Sequence, residues 1–150
     1  MNQLDMQATE KVTGIVTGLE VLKFMGMKFY IAVFTNQRII FIKSQYIWSR
    51  GGSSILARFL HSGKKEGVII ERIEKYGIQQ LLEDSDIEKV IINGADLDNI
   101  NFSFSRRLLH RIKFTIDSKK YKFDMDKETF QQFKTLFEKL KNNLPKITLR

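Results

Sequence analysis

"KFYIAVFTNQRIIFIK", residues 28–43, decides the fold. It is almost entirely β-branched and aromatic, and one polar break, Thr35-Asn36-Gln37-Arg38, divides it. That pattern predicts two short strands and a tight turn. With Asn36-Gln37 at the tip, Thr35 faces Arg38, Val33 faces Ile40 and Ile31 faces Ile42. One face then carries Phe29, Ile31, Val33, Ile40 and Ile42, and the other Tyr30, Ala32, Phe34, Ile39 and Phe41. Leaving either in water would cost roughly 1.5–3 kcal/mol per large side chain. One face must line the main core and the other needs a cover. We expect that cover over Phe34 and Phe41, supplied by residues 53–83 or by a neighbouring chain.

The neighbouring segments extend this pattern. Residues 11–24 read as a strand region interrupted by Gly14 and Gly18, with a turn at Met25-Gly26-Met27. Residues 53–62 read as a short helix, capped by Ser53 or Ser54, striped by Ile55, Leu56, Phe59 and Leu60, and ended by Gly63. Residues 66–83 read as a second helix, with Ile73 and Leu81 near helical spacing. Residues 87–92 and 101–105 read as strands. Residues 110–125 alternate cleanly and predict a hairpin turning at Ser118-Lys119. Ile112, Phe114, Ile116, Tyr121, Phe123 and Met125 share its apolar face, and on the wet face Lys113 would oppose Asp124 and Arg111 would oppose Asp126. Asp126 then caps a helix over 127–141, with Phe130, Phe133, Phe137 and Leu140 on one side.

The length of 150 residues suits one domain, 1–150, with a sizeable core. No apolar run approaches the roughly 20 residues of a membrane span, and residues 1–6 lack the basic-then-apolar order of a secretory leader. The absence of cysteine removes disulfides, thiol nucleophiles and thiolate metal sites, and fits a cytoplasmic protein. Residues 1–100 carry 12 Lys/Arg and 12 Asp/Glu, whereas residues 101–150 carry 13 and 5, so the whole net charge of +8 lies in the last third. Such asymmetry points to an anionic lipid surface, nucleic acid or an acidic protein partner.

At "FYIAVFTNQRIIFIK" the sequence resembles prokaryotic pleckstrin-homology-like and GRAM-like domains, in which an apolar strand, Thr-Asn-x-Arg and a second apolar strand follow one another; "SDIEKVII", residues 85–92, looks like a later strand of that family. The resemblance implies an α+β, mainly β fold: a pleckstrin-homology-like antiparallel barrel or sandwich, with a helical insertion near 53–83 and a capping helix at 127–141. It also implies a scaffold for binding. The phosphoinositide signature of such domains is incomplete here, since only Lys23 and Lys28 flank the first turn.

Catalytic chemistry is not indicated. His61 and His110 stand on different elements, no phosphate loop or nucleophile elbow occurs, and the acidic run at 83–88 lacks calcium-loop spacing. No metal or cofactor is expected. Two stretches remain as binding candidates. In "SRRLLHRIKFTIDSKKYK", residues 105–122, Arg106, Arg107, Lys119 and Lys122 are the basic residues left without a local carboxylate. In "YIWSRGGSSILARFLHSGKK", residues 46–65, Trp48 and Arg50 suit a membrane interface or an anion. The sequence therefore points to a non-enzymatic module that binds anionic membrane surfaces peripherally. A protein-interaction or homo-oligomer assembly module is the first alternative. Nucleic-acid binding is the second, and it needs exposed rings, whereas Phe114, Tyr121 and Phe123 fall on the apolar face.

Overall fold

The apolar segments pair into one antiparallel sheet. The computed structural model describes residues 10–23, 26–48, 55–104 and 110–144, with side chains for 10–21, 26–44, 66–102 and 110–144. The elements are β1 (Val12–Lys23), β2 (Gly26–Thr35), β3 (Arg38–Trp48), α1 (Ile55–Tyr76), α2 (Ile78–Glu83), β4 (Lys89–Asn93), a 3-10 helix (Gly94–Asn99), β5 (Asn101–Phe104), β6 (His110–Ile116), β7 (Lys119–Met125) and α3 (Lys127–Asn143). Among the described residues the strand order is β4-β3-β2-β1-β7-β6-β5. The architecture is α+β and mainly β.

β1 is the seam on which the sheet bends. Glu20 pairs with Phe29 of β2 on one side and with Asp124 of β7 on the other. Between Val16 and Leu19 the strand carries one residue more than β2 opposite, a bulge that Gly18 accommodates at φ +83°. The freed Gly18 N–H donates to Glu66 of α1 at 3.4 Å, a carboxylate only 6% exposed. The bend brings distant strands face to face. Phe41 of β3 stacks on Phe123 of β7 at 4.7 Å and on Phe114 of β6 at 5.2 Å, and Tyr30 of β2 meets Phe123 edge-on at 5.0 Å.

α3 closes this core. Asp126 caps it by accepting the Thr129 N–H at 2.8 Å. Phe133, Phe137 and Leu140 are buried, and Phe133 packs on Phe34 at 4.9 Å. Phe130, expected beside them, is only half-buried and stacks on His110 at 4.4 Å.

The register of the first hairpin holds as read, with Val33 opposite Ile40 and Ile31 opposite Ile42. The assignment of its faces is reversed. Tyr30, Ala32, Phe34, Ile39 and Phe41 line the main core with β6, β7 and α3. Ile31, Val33, Ile40 and Ile42 form the covered face, beneath Ile73 of α1 and Ile78 and Leu81 of α2. The aromatic face goes inward because the rings it must meet, Phe114, Phe123 and Phe133, all lie on that side.

The segment expected to be helical is so, but it breaks elsewhere. α1 runs straight through Gly63 and Gly67 and stops before Gly77, whose φ of +81° no L-residue adopts easily. A glycine within a helix costs only about 1 kcal/mol, which long-range packing overrides. The Ser53 or Ser54 cap lies outside the described residues.

The second hairpin turns one residue earlier than read. Asp117 and Ser118 have φ of +49° and +68°, the pair of positive values that a two-residue type I′ turn needs. Ile116 pairs with Lys119, Phe114 with Tyr121 and Ile112 with Phe123. The register therefore differs by two positions. The apolar face is unchanged, because side chains alternate with a period of two, but every cross-strand partner is different.

Candidate functional site

Three polar clusters stand out on this frame. The first is the Thr35-Asn36-Gln37-Arg38 turn. Thr35 Oγ1 donates to Glu10 at 2.7 Å and accepts the N–H groups of Gln37 at 3.1 Å and Arg38 at 3.0 Å. Arg38 grips Glu10 through both forks, each at 2.8 Å. Asn36 accepts the Lys11 N–H at 2.9 Å. The motif thus fastens the hairpin tip to the chain leading into β1, and Arg38 is committed to that lock.

Burial raises the Glu10 carboxyl, but hydrogen bonds from Arg38 and Thr35 outweigh it and leave the group below its ordinary 4.5. A depressed carboxyl stabilises the fold fully above its unfolded value and loses that contribution as pH falls through the folded one. Arg38→Ala should therefore cost about 1–2 kcal/mol near neutrality, after solvent screening. It should also flatten the fall of melting temperature below pH 4.5 that this carboxyl causes. Thermal melts across acid pH measure both effects. An acid limb as steep as in the wild type would contradict the lock.

The second cluster surrounds Glu88, just before β4. It accepts Lys28 at 3.2 Å and the Tyr30 hydroxyl at 3.1 Å, with Lys43 at 3.6 Å. Burial and the adjacent Glu88 charge push the Tyr30 hydroxyl well above its ordinary value. Burial pulls Glu88 upward, but Lys28 prevails and the carboxyl is net lowered. With its charges answered internally, this group ties β2 and β3 to the start of β4. Elsewhere in the acidic run, Asp84 pairs with Arg72 at 3.5 Å and accepts the Asp86 N–H at 2.9 Å, as a turn residue does.

The third cluster is not answered. Lys113 of β6 stands directly opposite Lys122 of β7, and Lys120 opposite Thr115. The expected partners are corrected by the earlier turn: Asp124 opposes Arg111, which holds it at 2.6 and 3.1 Å, and Lys113 no longer faces a carboxylate across the strands. Among the described residues Lys113, Lys119, Lys120 and Lys122 make no ion pair. Lys113, Lys120 and Lys122 border a concavity of about 550 Å³ together with Asn99, Asn101 and Thr115. Lys119 instead lies over the Tyr121 ring, 5.3 Å from its centre.

Of the residues singled out from sequence, Lys122 lies in this concavity and Lys119 beside it. Arg106, Arg107 and Arg50 lie outside the described residues, as does the side chain of Trp48, whose backbone ends β3 opposite Gly26. Lys113 and Lys120 were missed. The signal that reveals them is Asp117-Ser118 as the turn, since Asp tolerates positive φ better than Lys does.

Like charges directly opposite each other destabilise a strand pair. Lys113→Gln should therefore raise stability by about 0.2–1 kcal/mol. Urea midpoints measure this, and a fall would mean that Lys113 has a carboxylate partner after all.

Among the described residues no helix is long and apolar enough to cross a membrane, and no group of three or more His, Cys, Asp or Glu side chains could hold a metal. Comparison with protein-family models, curated proteins and solved structures returned no match to this chain.

Proposed function

We propose that this chain is a non-enzymatic, cytoplasmic binding module with a pleckstrin-homology-like architecture, and that its basic hairpin docks on anionic membrane surfaces. The strand order β4-β3-β2-β1-β7-β6-β5, bent at β1 and closed by a C-terminal helix, supports the architectural reading. The binding reading rests on one observation: Lys113 opposes Lys122 on the exposed side of a strand pair, with Lys120 beside them and no ion pair to any of the three among the described residues. A hairpin built for stability alone would alternate charges there. An external anion relieves the repulsion.

Co-sedimentation with vesicles tests this. The protein should pellet with phosphatidylcholine vesicles containing phosphatidylserine, stay in solution with phosphatidylcholine alone, and be released by salt. Each basic residue near such a surface contributes about 1 kcal/mol, so replacing Lys113, Lys120 and Lys122 by Ala should weaken partitioning about 100-fold. Equal partitioning of the variant and wild type would overturn the reading and leave these lysines a solubilising role.

A further inference from the structure

We infer that the concavity between β5, β6, β7 and the 3-10 helix is a discrete site for a phosphomonoester group, rather than only a charged surface. The inference rests on the membrane-surface reading and specifies the chemistry that its lysines recognise. Three lysines, Lys113, Lys120 and Lys122, border one concavity. The rest of the lining is Asn99, Asn101 and Thr115, the aromatic Phe114 and Tyr121, and one acidic residue, Asp98. Asn101 is placed by its pairing with Lys113 across β5 and β6, so the row Asn101, Lys113, Lys122 crosses three adjacent strands. A row on rigid strands is a better-fixed donor array than lysines on a loop.

The charge of the site selects among anions. A phosphomonoester carries about −1.5 to −2 at neutral pH and three strong acceptor oxygens. A phosphodiester or carboxylate carries a single charge and would leave most of the lysine charge unanswered. Asp98 is the carboxylate at the rim, and Lys141 engages it at 2.7 Å. The concavity, about 550 Å³, has the size of a small-ligand site. A nucleic-acid strand is disfavoured because a stacking platform needs open rings, and here Phe114 is 3% exposed and Tyr121 is sandwiched on it at 5.1 Å.

Two sources carry this chemistry, a phosphomonoester lipid headgroup and a soluble phosphorylated metabolite. The experiment separates them. The full chain is tested with vesicles containing phosphatidic acid or phosphatidylserine, matched in surface potential, and its amide NMR signals are followed during titration with glycerol 3-phosphate, with acetate as the control. Partitioning onto phosphatidic acid should be about tenfold tighter than onto phosphatidylserine. The Lys113→Ala/Lys122→Ala pair should abolish that difference while Lys139→Ala, on α3, keeps it. If both vesicle types bind equally and glycerol 3-phosphate moves no hairpin signal, the discrete site is overturned and the membrane reading stands. If neither vesicle binds but glycerol 3-phosphate shifts Asn101, Lys113 and Lys122 where acetate does not, the site stands, its ligand is soluble and the membrane reading falls. If neither vesicles nor glycerol 3-phosphate bind, both are overturned. The pair variant removes a like-charge contact, so a failure to fold does not confound the result.

Discussion

Phe41→Asp should leave no cooperatively folded protein. Phe41 is fully buried at the point where both halves of the bent sheet and α3 meet, stacking on Phe123 at 4.7 Å, Phe114 at 5.2 Å and Phe133 at 6.0 Å. Truncating such a ring costs about 3–5 kcal/mol before any charge is considered. Among the described residues no cation lies over these four rings, and burying a carboxylate among them adds several kcal/mol even if it protonates instead. Domains of this size are stable by only about 5–15 kcal/mol. Near-ultraviolet circular dichroism and a thermal melt decide the matter: a sharp wild-type-like transition in Phe41→Asp would mean that the ring does not line the core. Phe41→Leu, which keeps most of the apolar volume, should still fold with a lowered midpoint.

The parity of the chain was legible from its residues; the choice between equivalents was not. Alternation placed Phe34 with Phe41 and Ile31 with Ile42 on opposite faces, and the structure keeps them so, although Phe29, read on the face of Ile31, joins neither cluster. Nothing local says which apolar face turns inward, because Ile and Phe are both satisfied by burial. That choice depends on aromatic partners more than sixty residues away, at Phe114, Phe123 and Phe133. The same logic separates the two registers of the second hairpin. A shift of two preserves the faces and so costs the hydrophobic pattern nothing. It changes the partner of Lys113 from Asp124 to Lys122, and with it the standing of the site. The backbone of the turn decides the register, through two residues that must take positive φ.

The Thr35-Asn36-Gln37-Arg38 motif teaches the complementary point. It was the most distinctive stretch of the sequence, and its side chains are spent on holding a turn to Glu10 and Lys11. The binding candidate arose where the sequence looked ordinary, in an alternating hairpin with a wet side. A motif marks a demanding backbone as readily as it marks a ligand.

Removing the helical segment should make the chain associate through the face it bares, while keeping the core. Residues 45–86, the last four residues of β3 among them, can be excised and Ser44 joined to Ile87 through Asn-Gly, because the Lys43 N–H already donates to the Glu88 carbonyl at 2.9 Å and a four-residue loop, Ser44-Asn-Gly-Ile87, closes that pair. Among the described residues, none of the cluster around Phe34, Phe41, Phe123 and Phe133 lies in the excised stretch. That core should persist, with near-ultraviolet circular dichroism like the parent. The opposite face loses Ile73, Ile78 and Leu81, and Ile31, Val33, Ile40 and Ile42 go from fully buried to open. Each such side chain left in water costs roughly 1.5–3 kcal/mol, and a contiguous aliphatic patch on a sheet finds another copy of itself. Light scattering should show oligomers whose size grows with concentration. The full-length pair Ile73→Asp/Leu81→Asp should approach the same state by detaching the helices without shortening the chain, with increased binding of a hydrophobic dye. A monomeric excised protein with no dye binding would mean that α1 and α2 are not what keeps this face dry. Loss of the near-ultraviolet signal in both variants would mean that the two clusters fold as one cooperative unit. The outcome expected from their separate memberships is a stable sheet-and-α3 core whose opposite face is kept dry by α1 and α2.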